Sequence, residues 1–444
     1  MTDRAREFIK QAKALTPLHD VKVVCRRWLG DDYDLDAMYA VLATAAAEQL
    51  PGDPLWLLLV SGSGNAKTET VQALTGIGAI ITSSITSDGA LLSGSPARDK
   101  RKDSTGGLLR VIGNRGILVI KDVTSILSMN RDTRGTVLAA LREVHDGQWQ
   151  RNVGTDGGRT LTWRGRIVLV GAVTTAWDRA HDVIAQMGDR FVILRMDSYQ
   201  GRTRAGRRAI ANTGDEARMR TEQAGMAAKV VQGVTPAAAV TLTEVETERI
   251  LAAANVVTLA RTGVDYDYRG DVIDAHAPEM PTRFAKQLTQ LLRGAVAIGL
   301  DRTAALRLAI RCARDSMPPL RLAILDDVAA HARAMTTEVR RRLAKPRATV
   351  DRQLQSLHML GVLSCDEEEA ERFGKIVTHW QYSLADGIDP DVLNPDFPSP
   401  DLSPPTPRPL RREGDIPTTD ISGDGEFDAR PFLDAQGRPA RKPS

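Results

Sequence analysis

Residues 60–69 read Val60-Ser61-Gly62-Ser63-Gly64-Asn65-Ala66-Lys67-Thr68-Glu69. They follow an apolar run at 55–60 and precede a helical stretch at 69–74. A polyphosphate must come close to backbone N–H groups, and large side chains would keep it away. The helix start that follows adds oriented donors and partial positive charge. In such a loop Gly62, Ser63, Gly64, Asn65 and Ala66 form the cradle, and Lys67 reaches the β- and γ-phosphates of ATP. The Thr68 hydroxyl completes the shell of a Mg²⁺ ion. The pattern G-x-x-x-x-G-K-[ST] is met imperfectly, because Ser61 and Ala66 stand at its glycine positions. A plain Gly/Ser turn before an exposed Lys-Thr is the alternative reading.

A second group lies downstream. Gly116-Ile117-Leu118-Val119-Ile120-Lys121-Asp122 is an apolar strand ending in one carboxylate. Asp122 at such a strand end can hold the Mg²⁺ or polarise an attacking water. Lys121 precedes it where a second acid is usual, so binding of a nucleotide is more firmly indicated than hydrolysis. The strand Ile167-Val168-Leu169-Val170 runs into Thr174-Thr175, either of which could sense a γ-phosphate.

These residues need elements to hold them. Apolar runs at 55–60, 79–82, 117–120, 167–170 and 191–194 alternate with helical stretches, the signature of a parallel sheet buried on both faces. Residues 134–145 read as a helix, and the Asp146–Gly154 segment reads as a projecting hairpin. The expected fold is α/β: a helical segment over 1–50, a P-loop NTPase core over 51–196, and a helical insert and lid over 197–320. A small module fills 321–385, and 386–444, where about half the 22 prolines fall, is expected to be disordered. A net charge of +3 over 444 residues neither demands nor excludes a nucleic-acid partner. Three scattered cysteines fit no disulfide framework or metal-ligand spacing. A charged N-terminus and no apolar stretch of about 18 residues point to a cytoplasmic protein without a membrane span.

In the small module, residues 336–343 read as a helix capped by Thr336 or Thr337. A turn at Ala344-Lys345-Pro346 leads to a second helix at 347–360 with Val350, Leu354 and Leu357 on its buried face. Two strands follow. The arrangement resembles a winged helix-turn-helix, in which Arg347, Thr349, Arg352 and Gln353 would sit where base edges are read. The acidic run Asp366-Glu367-Glu368-Glu369 opposes DNA and favours protein docking. Arg340, Arg341, Arg342 and Lys345 favour DNA.

The order of these parts over about residues 50–320 resembles the AAA+ ATPases, most closely the branch holding minichromosome-maintenance helicases and bacterial enhancer-binding activators. Within that resemblance Gly188-Asp189-Arg190-Phe191 corresponds to the arginine finger, and Pro281-Thr282-Arg283-Phe284 to the lid helix with its sensor-2 arginine. The chain is also similar to uncharacterised ATP-binding proteins of actinobacteria and their phages or mobile elements. There, stretches like Gly106-Gly107-Leu108-Leu109-Arg110 and Ile120-Lys121-Asp122 recur. The resemblance implies ATP and Mg²⁺ as cofactors, DNA as partner and a homo-oligomer such as a hexamer. The function expected is ATP-dependent work on DNA in replication or helicase-type processes. An ATP-gated transcriptional regulator and a nucleotide switch with little turnover are the alternatives.

Overall fold

The short Leu/Val/Ile runs form one parallel sheet. In chain order the strands are β1 (Trp56–Val60), β2 (Ile80–Thr82), β3 (Arg115–Ile120), a hairpin of β4 (Gln148–Val153) and β5 (Arg159–Arg164), then β6 (Arg166–Val173) and β7 (Val192–Arg195). Five of them pair in parallel in the order β2-β3-β6-β1-β7. All five expected apolar runs are in it, with ends moved by one to three residues. The computed structural model describes residues 17–94, 105–154, 158–180, 190–235, 240–372 and 375–396.

Alternation along each strand splits the interior into two cores. From β1, Leu57 and Leu59 join the core built with the Ala-rich helix Leu35–Ala47, while Trp56, Leu58 and Val60 join Val137, Leu141 and Trp177 on the other face. Helix Leu35–Ala47 is buried almost all round, as a helix sandwiched between layers must be. It meets helix Thr282–Ala297 at backbone distance. A Cβ placed on Gly294 would stand 2.1 Å from the Ala43 carbonyl oxygen.

Two sets of side chains secure exposed backbone. Arg166 donates to the carbonyls of Ala47, Glu48, Gly52 and Asp53 at 2.6–3.2 Å. That supplies partners for carbonyls at the end of the helix and through the Pro-Gly turn. The outer N–H groups of edge strand β7 are taken by helix Arg302–Asp315 and its cap, with Ile193 N to Ser316 Oγ at 2.9 Å and Arg195 N to Asp315 Oδ2 at 2.8 Å. The edge cannot then pair with another chain.

Residues 202–232 form two helices, Arg202–Ala211 and Glu216–Gln232. The second crosses the 3₁₀ turn Ala73–Ile77, where Gly76 has no room for a side chain against the Ala224 carbonyl. Beyond helix Glu244–Arg261 lies a hairpin absent from the sequence expectation, β8 (Val264–Tyr266) and β9 (Val272–Ala275). Its turn is closed locally, with Asp267 Oδ1 accepting from Arg269 N and Asp271 N, and the alternation Val264-Asp265-Tyr266-Asp267-Tyr268 was its sequence signal.

Helices Pro319–Ala330, Thr336–Arg342 and Arg347–Met359 pack with β10 (Ala334–Met335), β11 (Leu363–Arg372) and β12 (Lys375–Leu384), an antiparallel sheet in the order β10-β12-β11. The expected threonine cap is corrected. Glu338 accepts the Met335 N–H, and the Thr336 hydroxyl donates to Asp351 instead. The expected start of disorder at residue 386 is also corrected. Residues Pro390–Leu393 make a 3₁₀ turn, Leu393 is fully buried, and Arg249 donates to the Asp391 and Asn394 carbonyls. Residues 397–444 lie outside the described residues. Among the described residues no helix is long and apolar enough to cross a membrane, and all three cysteines are unpaired thiols.

The Gly294 contact yields a test. Gly294→Ala should push two buried helices apart and cost about 1–3 kcal/mol, read as a lower urea midpoint. An unchanged midpoint would mean that the interface yields at no cost.

Candidate functional site

Strand β1 delivers its polar loop at the carboxyl edge of the sheet, with β6 on one side and β7 on the other. In open parallel sheets that edge is where ligands bind. Lys67 begins helix Lys67–Gln72 and is 8% exposed. Its ammonium is held by the loop itself. Nζ donates to Ser61 O at 3.1 Å, Ser61 Oγ at 3.0 Å and Gly62 O at 2.6 Å. Burial pushes the Lys67 pKa below the usual lysine value, and the nearby Asp122 charge works against that shift.

Ala66 occupies the left-handed region, at φ 54°. The turn into the helix requires that conformation, and a Cβ there is unfavourable by about 1–2 kcal/mol. Thr70 Oγ1 donates to the Ala66 carbonyl at 2.9 Å, and the Tyr33 hydroxyl shares a 2.7 Å hydrogen bond with Thr70. On the other side, Gly62 N donates to Ser198 Oγ at 3.0 Å, and Asn65 Nδ2 donates to the Asp197 carbonyl at 2.9 Å. Ser63, Gly64 and Thr68 are exposed.

Asp122 follows β3 and Thr174 follows β6, so both arrive at this same edge. Asp122 is exposed, and one of its oxygens accepts from Thr124 N at 3.0 Å. The hydroxyls of Thr124 and Thr174 lie 3.3 Å apart, and Thr174 N donates to Thr124 Oγ1. A shared hydroxyl contact therefore links the ends of β3 and β6. Thr175, the other candidate, is exposed at the start of helix Ala176–Arg179.

Sequence reasoning missed a charged group beside this edge. Arg195 at the end of β7 makes a two-pronged pair with Asp178, and its Nε donates to the Asp315 carbonyl. Arg311 pairs with Asp34 and Asp36. Burial raises the Asp315 carboxyl to about 6, against the pull of Arg195 N–H and Arg311. The only sequence signal was the i, i+4 spacing of Arg311 and Asp315.

Arg190 and Arg283 lie elsewhere. By the register of β1 with β7, Arg190 sits at the amino edge of the sheet, about 20 Å along the strands from the loop. There it pairs with Asp146 at 3.1 Å, and the Gln287 amide donates to its carbonyl. Arg283 lies 3.8 Å from Glu279, its pKa lowered by burial and by Arg190. His145, pushed down to about 4 by burial, neighbours them. Asp53, His145, Asp146, Arg166, Arg283 and Lys286 line a cleft of about 470 Å³.

In the helix Arg347–Met359, Arg347, Thr349 and Arg352 are exposed. Gln353 is drawn inward, its Oε1 accepting from the buried Arg321 at 2.9 Å. Arg352 donates to the Arg269 carbonyl at the tip of the β8–β9 hairpin. Strand β11 presents Asp366, Glu367, Glu368 and Glu369 to solvent.

No family model matches the chain, and no curated protein matches it. Two solved apo structures of the NrS-1 C-terminal region in its A form are similar at 10% identity, over 83% of this chain and 75% of theirs, with a TM-score of 0.23. A likeness that weak identifies neither fold nor function.

The strained backbone at Ala66 is open to test. Ala66→Gly should stabilise the protein by about 1 kcal/mol, because glycine removes the Cβ penalty and adds only a smaller unfolded-state entropy cost. The readout is the urea midpoint at constant slope. A loss of stability would show that the left-handed conformation carries no strain.

Proposed function

We propose that the chain is an AAA+-like P-loop ATPase that binds Mg·ATP at Lys67 and acts on DNA. One observation carries the reading: a buried lysine in a small-residue loop, a carboxylate and a hydroxyl converge at the carboxyl ends of three adjacent strands, β1, β3 and β6. Lys67 is the only cation within residues 61–68. It would exchange the Ser61 and Gly62 carbonyls for phosphate oxygens. The loop N–H groups and the start of helix Lys67–Gln72 would supply further donors. Among the described residues no three His, Cys, Asp or Glu side chains converge as a cation cage. Mg²⁺ would therefore be held jointly by Thr68, Asp122 and the nucleotide, as this ion commonly is. Thr174, bridged to Thr124, would report the γ-phosphate to the end of β3.

Arg190 and Arg283 are too far from the loop to serve their own chain's nucleotide. A homo-oligomer could bring this edge to a neighbour's nucleotide; Arg283 is the accessible arginine there, whereas Arg190 would have to leave Asp146, its side chain being 12% exposed. Helices Pro319–Ala330, Thr336–Arg342 and Arg347–Met359 with the sheet β10-β12-β11 support a winged helix-turn-helix that reads DNA through Arg347, Thr349 and Arg352. Gln353 would instead fix the helix in place. The acidic β11 favours a second role for the hairpin in protein docking. The lone carboxylate at Asp122, beside Lys121, favours a second reading of the core as a nucleotide switch with slow turnover.

Lys67→Ala should lower ATP affinity on the order of 100-fold, since nothing else in the loop offers charge to the phosphates. Asp122→Asn should keep binding and lose turnover. Titration with a fluorescent nucleotide and phosphate release, with and without duplex DNA, measure both. Unchanged affinity in Lys67→Ala would remove the nucleotide assignment.

A further inference from the structure

Helix Arg202–Ala211 buries nothing, and every residue in it is exposed. An amphipathic helix owes its stability to packing, and this one has none to offer. It is held at its ends instead. Gly201 lies against Asp32, Arg204 pairs with Asp32, and the Asn212 amide donates to the Trp28 carbonyl at 2.7 Å.

Its sequence is Arg202-Thr203-Arg204-Ala205-Gly206-Arg207-Arg208. At helical spacing Arg204, Arg207 and Arg208 share one face. Arg204 is held by Asp32, and among the described residues no carboxylate pairs with Arg207 or Arg208. Neighbouring cations repel each other, so Arg207 and Arg208, unlike Arg204, contribute no ion pair to the fold. Just before the helix, Tyr199 stands 85% exposed, its N–H fixed by Asp197 Oδ1 at 2.7 Å. Ile210 is 76% exposed.

We propose that Tyr199, Arg207 and Arg208 bind single-stranded nucleic acid. The Arg207 and Arg208 guanidinium groups take backbone phosphates while Arg204 stays paired with Asp32, and the phenol ring stacks on a base. An exposed ring can stack only on a base whose face is free, which a duplex does not offer.

The surface also communicates with the phosphate loop. Tyr199 directly follows Asp197 and Ser198, whose carbonyl and hydroxyl hold Asn65 and Gly62. A strand that displaces Tyr199 moves the partners of both loop residues. Strand binding and occupation of the loop are therefore linked, and the linkage is reciprocal. This second step rests on the nucleotide reading of Lys67, and the first does not.

The test uses the full chain and a fluorescein-labelled oligothymidylate of about 20 nucleotides, followed by anisotropy across a salt series without nucleotide. Omitting nucleotide keeps the result independent of whether the loop binds ATP. Arg207→Gln with Arg208→Gln should make the plot of log affinity against log salt shallower by about 1.4. Tyr199→Ala should weaken binding about tenfold at an unchanged slope. Variants that match the wild type, a wild type that ignores the oligonucleotide at low salt, or a duplex that competes equally well would each overturn the assignment. Repeating the titration with Mg·ATP should shift strand affinity in the wild type and not in Ser198→Ala. No shift in a wild type that binds ATP would overturn the linkage.

Discussion

An ammonium group taken out of water must find acceptors, and the satisfaction of Lys67 organises the rest of this molecule. Its partners are two loop carbonyls and a serine hydroxyl, with the Asp122 charge close enough to favour the protonated form. The three acceptors come from the loop that β1 delivers, and the Asp122 charge reaches the ammonium because β3 ends at the same edge of the sheet. That alignment follows from parallel pairing and from side chains buried on both faces. Without these acceptors the ammonium would be left charged and unpaired in a poorly solvated position.

The same edge is bound into the helical layers by polar contacts. Arg195, Asp178, Asp315, Arg311, Asp34 and Asp36 tie the ends of β6 and β7 to helices Leu35–Ala47 and Arg302–Asp315. Tyr33 and Arg220 grip the helix that starts at Lys67, through Thr70 and Glu69. Movement at the loop therefore has several rigid elements to act on, and none of them depends on an exposed surface pair alone. The two arginines on the far edge belong to a separate charged site with Asp146 and Glu279. A single chain accordingly presents two chemically distinct edges.

Legibility followed the range of the interactions. The five strands and the loop were readable because periodicity and small-residue spacing are local signals, whereas the hairpin expected within Asp146–Gly154 is one strand of a longer pair, β4 with β5. The conformation of Ala66 was not, because alanine ordinarily avoids positive φ and the turn imposes it. Gln353 looked like a base-reading side chain, since its engagement by Arg321 spans 32 residues of sequence. The boundary of the tail was misplaced because Leu393 is buried and its turn is held by Arg249, more than a hundred residues away. Arg190 and Arg283 could be named from motif order, and Glu279 stands four residues before Arg283, while the pairing of Arg190 with Asp146, 44 residues apart, required the fold.

Amide hydrogen exchange with and without Mg·ATP tests the central claim most directly. If Lys67 and its edge form the nucleotide site, exchange should slow across residues 61–70, near Asp122–Thr124 and at Thr174. Unchanged exchange there, or protection confined to the cleft around Asp53, Arg166 and Arg283, would contradict the account.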